Sequence, residues 1–242
     1  MQRRDFLKVV GVGAAMVVVQ PSMIGQKLYA DNGTMFKTYD KVQLMDADGN
    51  PILASNLEKE KNYVFNYPHV ATPCFLLALA EKVSGDVKLK SEDGEEYLWS
   101  GAVGKENNIV AYSAICSHQL THVNPADSFI SYIPKKQKTM AYAEGGVIVC
   151  GSHLSAFDPA KGAKKLSGPA SEPLASIVLE HRDDDTLWAV AVLGPDKFHS
   201  FFKAYKPEFK LYFGGKRKAK KFVTVAAQTV PLTKYSKEVI QY

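Results

Sequence analysis

The chain has 242 residues, of which 46% are apolar and 23% charged, and a formal net charge of +5. These proportions exclude a disordered, collagenous or polytopic membrane protein, and the length suits one large domain or two small ones. Three cysteines cannot build a disulfide framework, so stability has to come from packing or a cofactor.

The first thirty residues carry Arg3, Arg4, Lys8 and Lys27 against Asp5 alone; without them 26 basic and 24 acidic residues remain. So balanced a body gives no warrant for nucleic-acid binding, which wants a strongly basic face. The paired arginines, Phe6-Leu7-Lys8 and the apolar run 9–19 have the layout of a twin-arginine export signal. The run is short for a transmembrane helix. Two fates are open: removal after Leu28-Tyr29-Ala30, or retention of residues 6–24 as a membrane anchor. Both place the folded body in the periplasm.

Residues 31–62 are polar and turn-rich, with a clear turn at Asp46-Ala47-Asp48-Gly49-Asn50-Pro51. Short β-branched or aromatic runs follow at 63–67, 74–80, 109–115, 146–150, 175–180 and 186–192, each bounded by turn formers. That pattern predicts an antiparallel all-β domain. Residues 75–83 also have helical propensity, and the charged stretch 88–96 reads as a solvated hairpin or loop. From Lys203 the composition turns basic, with Lys203, Lys206, Lys210, Lys216, Arg217, Lys218, Lys220 and Lys221 against Glu208. The expectation is a C-terminal extension that packs its aromatics and solvates its lysines. The division is therefore 1–30 signal or anchor, 31–202 β domain, and 203–242 basic extension.

The chemistry lies in Cys116-Ser117-His118 and Cys150-Gly151-Ser152-His153, each following an apolar strand-like run. Two loops side by side would make a ligand cage at one tip of a sheet. A structural zinc site prefers ligand pairs of like kind, whereas here each pair is one Cys and one His. Two Cys on one iron and two His on the other, one of each per loop, is the pattern of a Rieske-type 2Fe–2S cluster. A zinc-stabilised Cys2His2 binding module is the alternative. A ring-hydroxylating oxygenase would also need a two-His, one-carboxylate iron site, which the later chain does not offer.

Downstream stand Leu154-Ser155-Ala156-Phe157-Asp158, Gly162 and Ser167-Gly168-Pro169-Ala170. Over roughly residues 60–195 the chain resembles the Rieske family, with its serine after the second ligand box and its Gly-Pro-Ala loop over the cluster. Tyr67-Pro68, Pro73-Cys74 and the run 109–116 look most like the small subunit of arsenite oxidases. The resemblance implies an antiparallel β sandwich with a small cluster-binding subdomain. It also implies one 2Fe–2S cluster held by Cys116, His118, Cys150 and His153, with Ser155 hydrogen-bonding a bridging sulfide. It further implies an electron-transfer subunit without a substrate site of its own, whose exposed imidazole edges pass single electrons. The partner would be a molybdenum enzyme or a cytochrome bc-type complex, with a cytochrome or the quinone pool beyond.

Three departures stand out. The cysteines that form a disulfide between the ligand loops in quinol-oxidising members are Thr121 and Ser152 here. The aromatic that donates to a ligand sulfur in high-potential members is Phe157, which has no hydroxyl. The segment 124–145 between the boxes is long, with Pro134-Lys135-Lys136-Gln137-Lys138 expected as an exposed loop. The first two point to a potential below about +150 mV in a range of roughly −150 to +300 mV. His122 reads as a loop histidine near the cluster and Cys74 as a buried core thiol; His69, His181 and His199 lack ligand-like spacing.

Overall fold

A computed structural model of the chain describes residues 35–241. The signal or anchor expected at 1–30 lies outside the described residues. Among those residues, no helix is long and apolar enough to cross a membrane.

The all-β expectation holds. The main sheet has eight strands, and its centre is built from β1 (Phe36–Met45), β2 (Tyr63–Asn66), β3 (Pro73–Ala78), β6 (Ile109–Ser113), β12 (Ser176–His181) and β13 (Leu187–Leu193). These pair antiparallel in the order β1-β13-β12-β6-β3-β2, and β14 (Ala226–Gln228) and β15 (Val230–Pro231) close the two edges. The helical propensity of 75–83 is overridden, because β3 pairs on both sides, with β2 and β6. Its residues are apolar without alternation for a physical reason. Phe75 and Leu77 enter one hydrophobic cluster while Cys74, Leu76 and Ala78 enter another on the opposite face. A strand covered on both faces needs no polar side.

Two different layers provide those covers. One face meets a hairpin of β4 (Val87–Lys90) and β5 (Glu96–Trp99), through Leu89, Tyr97 and Trp99. The same face meets a four-stranded sheet of β8 (Ile130–Ile133), β9 (Val147–Cys150), β10 (Ser155–Asp158) and β11 (Lys164–Ser167), through Tyr132, Ile148 and Phe157. The other face is closed by α1 (Phe198–Ala204) and α2 (Lys206–Phe213), with Phe198, Phe201, Phe202 and Phe209 buried. The lysines of this segment stay outside; Lys203, Lys206, Lys210, Lys218, Lys220 and Lys221 are exposed. Four phenylalanine side chains buried at about 2 kcal/mol each stabilise this contact by several kcal/mol. The loop 135–138 is exposed, as expected.

Candidate metal centre

The first ligand loop leaves β6 and folds back at once. The Cys116 N–H donates to the Thr121 carbonyl at 2.7 Å, and the Leu120 N–H donates to the Cys116 carbonyl at 3.1 Å. Closing so short a loop puts Leu120 in the left-handed region, at φ 62°. The second loop is the connection between β9 and β10. Cys150 ends one strand, Ser155 opens the next, and the two are register partners. It too turns through a left-handed leucine, Leu154 at φ 57°.

A third loop lies across the second. A Cβ on Gly168, whose φ is +80°, would fall 2.4 Å from the Leu154 carbonyl oxygen and 2.5 Å from the Ser155 Cα. Only glycine allows that approach. The Ala170 N–H donates to the Ser155 hydroxyl at 3.2 Å, which leaves the serine O–H free to donate elsewhere. The Ser117 hydroxyl donates to the Glu172 carbonyl at 2.8 Å, so the first ligand loop is tied to the same segment. Glu172 is itself buried, and its carboxylate takes the Glu92 N–H at 3.0 Å and pairs with Lys197.

The four sequence-predicted ligands meet in two like pairs. The Cys116 and Cys150 thiols hydrogen-bond each other and are both buried. The His118 and His153 rings stand perpendicular with centroids 4.9 Å apart. The hydrogen bond from Cys116 holds the Cys150 thiol below its usual range, with further help from the Thr121 hydroxyl and the Ser152 and His153 backbone. The Cys116 thiol moves the other way, raised by its bond to Cys150 and by burial. Two sulfurs in contact ionise one after the other, and a cation between them removes that opposition.

The donor set fits a 2Fe–2S group. His118 Nδ1 is buried with no hydrogen-bonding partner, the state of a ring nitrogen whose partner is a metal. Among the described residues, no group of three or more His, Cys, Asp or Glu could hold a single metal ion. The two like pairs, thiol with thiol and imidazole with imidazole, suit two irons that each take two protein ligands. The thiols are buried, His118 is half-buried and His153 is exposed, so the imidazole end faces outward.

The remaining candidates stand apart. The Cys74 thiol donates to the Tyr67 carbonyl at 3.1 Å inside the other hydrophobic cluster, and burial pushes its pKa up. His181 pairs with Asp185 at 2.9 Å. His199 is an exposed residue of α1. His122 does lie in the first ligand loop. Sequence reasoning missed the supports Thr121, Ser117 and Glu172. In the sequence Thr121 stands out only as the place of an absent disulfide.

Two short loops with one Cys and one His each, a glycine-dependent third loop and an unpartnered buried imidazole nitrogen define an iron–sulfur domain of the two-cysteine, two-histidine class. Residues 77–178 of the chain match the Rieske [2Fe-2S] domain. The chain carries a 2Fe–2S cluster and is an iron–sulfur electron carrier. It is 28% identical over 185 residues to a Haloferax mediterranei protein named as a Rieske subunit of a respiratory nitrate reductase, covering 73% of this chain and 71% of that one. It is 34% identical over 108 residues to the iodate reductase subunit IdrB of Denitromonas iodatirespirans; the match spans 45% of this chain and about half (48%) of that one. Among solved structures, the soluble domain of Rieske protein II from Sulfolobus acidocaldarius is similar at 18% identity and a TM-score of 0.45. That likeness covers 66% of this chain and 82% of that one.

Proposed function

We propose that this chain is the periplasmic electron-transfer subunit of a molybdenum oxidoreductase, exported folded by the twin-arginine pathway and either released by cleavage after Ala30 or held at the membrane by residues 6–24. The observation that carries the redox reading is the polarity of the site, with both thiols buried and the His153 edge exposed. A 2Fe–2S cluster held there supplies one-electron chemistry at a potential set by its ligands and surroundings. The protein's own part is to keep the sulfurs dry, aim two imidazoles outward and hold three loops fixed while charge changes. A subunit partner, rather than a cytochrome bc-type complex, is favoured by the two relatives, both named as subunits of reductases. The arsenite-oxidase likeness of the run before Cys116 points to the same kind of assembly. The Arg3-Arg4 pair and the apolar run after it support the export route.

The test is metal analysis and electron paramagnetic resonance on protein purified from periplasm and membranes, together with identification of what copurifies. About two irons per chain and a reduced-state Rieske signal are expected, with a larger oxidoreductase subunit in the same complex. One zinc per chain without iron would overturn the redox reading. Copurification with a cytochrome b would overturn the partner.

A further inference from the structure

The first ligand loop is joined to a helix far along the chain. His122, buried with its side chain 4% exposed, brings Nδ1 within 2.9 Å of the Leu120 carbonyl and Nε2 within 2.8 Å of a Glu208 carboxylate oxygen. Glu208 sits in the first turn of α2. The Phe201 and Tyr205 rings close on the imidazole edge-on, at 4.7 and 4.5 Å.

A carbonyl only accepts, so Nδ1 donates to Leu120, and Nε2 shares a hydrogen bond with the Glu208 carboxyl. The ring therefore bridges two partners, one within the ligand loop and one outside it. The acceptor inside is the carbonyl of Leu120, the residue forced into the left-handed region two places after His118. A strained turn persists only where its surroundings over-determine it, and the His122 ring is one such surrounding. No covalent clasp does this work, since Cys74, Cys116 and Cys150 are free and the other ligand-loop positions are Thr121 and Ser152.

We propose that His122 and Glu208 are positioning residues, and that their part-buried pair clamps the first ligand loop to the C-terminal helices and so holds Cys116 and His118 in place for the cluster. The basic C-terminal segment then acts as a brace of the metal centre from outside the ligand boxes. Removing one member of a buried hydrogen-bonded pair leaves the other uncompensated, so each single variant should loosen the loop.

The experiment uses the full chain with Glu208→Ala, Glu208→Gln and His122→Gln, and Lys210→Ala on the exposed side of the same helix as control. Hydrogen exchange read by mass spectrometry compares the peptide 114–123 with the core peptide 73–78. Loss of the visible cluster absorbance under an iron chelator is followed in parallel. For Glu208→Ala, exchange in 114–123 should accelerate about tenfold and cluster loss by a similar factor, as a charge-assisted hydrogen bond implies. The core peptide should be unchanged. Glu208→Gln, which keeps an acceptor, should fall between it and the wild type, and combining Glu208→Ala with His122→Gln should add little to either alone. Unchanged exchange in 114–123 would overturn the proposal. Equal acceleration of the core peptide would overturn it too, because the pair would then support the fold at large. The clamp rests on the iron–sulfur reading for its purpose only. Wild-type iron content tests that reading, and exchange on the metal-free chain tests the clamp by itself.

Discussion

Among the described residues, two histidines have a buried Nδ1 atom without a hydrogen-bonding partner, His69 and His118. Their surroundings give them opposite meanings. His69 is enclosed by rings, with Phe222 stacked at 4.9 Å, Phe202 at 5.0 Å, Phe198 at 5.8 Å and Tyr39 at 6.3 Å. No sulfur or second imidazole stands among those rings, and burial lowers its pKa to about 4, with the Lys220 charge adding to the effect. It is a neutral member of a hydrophobic contact. His118 has His153 across from it and belongs to the same short loop as a buried thiol. An unpaired ring nitrogen marks a ligand only where other donors converge, and the aromatic end of this molecule shows what the same atom means where they do not.

The largest effect expected at the metal end comes from Gly168→Ala. The added methyl would collide with backbone atoms of Leu154 and Ser155, which cannot swing aside as a side chain could, and φ +80° disfavours any Cβ. Strain and overpacking together cost about 3 kcal/mol or more. The second ligand loop should move and iron occupancy of the purified protein should fall severalfold, while the far-ultraviolet circular dichroism of the main sheet is kept. Full iron content in this variant would show that the third loop does not press on the ligand loop.

The aromatic end should answer to acid instead. The folded-state pKa of His69, about 4, lies below its unfolded value near 6.5. As pH falls, the unfolded chain therefore takes up the proton first. The stability from a neutral His69 is fully present above about pH 6.5 and is lost as pH falls toward 4. The difference amounts to about 3 kcal/mol in full, and somewhat less by pH 4.5. His69→Leu removes this titration, so its Tm should fall less than that of the wild type between pH 7.5 and 4.5. A gap of about 5 °C is expected for a chain of this size. Parallel Tm curves for the two proteins would mean that His69 takes its proton inside the ring cage without penalty.

How far each region could be read from sequence follows from the same contrast. The ligands were legible because iron fixes residue type and spacing within a few positions of chain. The central strands were legible because burial on both faces leaves plain apolar runs. β1 was not, since a register shift between Thr38 and Val42 breaks its alternation and its exposed side carries Lys37, Asp40 and Lys41. β10 hid inside the metal motif, where Ser155 and Asp158 read as chemistry rather than as a strand. The braces were invisible for another reason. Glu208 lies 86 residues from His122, and only folding brings them together. That the C-terminal aromatics pack and the lysines face solvent was legible from composition; which face of the sheet Phe198, Phe201, Phe202 and Phe209 close was not, because nothing local encodes it.

The smallest expected effect concerns the potential, and there the structure alters the balance read from sequence. Donors to the sulfurs stabilise the reduced, more negative cluster and raise its potential. Phe157 is fully buried and brings no hydroxyl, as its sequence implied. Thr121, at the place of an absent disulfide, instead hydrogen-bonds the Cys150 sulfur. Thr121→Val keeps the branched shape and deletes that bond, which is worth about 1 kcal/mol, or roughly 40 mV for one electron. The midpoint should fall by about that amount, with the iron content unchanged. Phe157→Tyr should move it upward if the added hydroxyl reaches a ligand sulfur. A redox titration followed by electron paramagnetic resonance reads both. A Thr121→Val midpoint equal to the wild type would remove threonine from the account. A wild-type midpoint near the top of the Rieske range would show that hydrogen bonds to sulfur do not govern this site, and that solvent access or the C-terminal brace does.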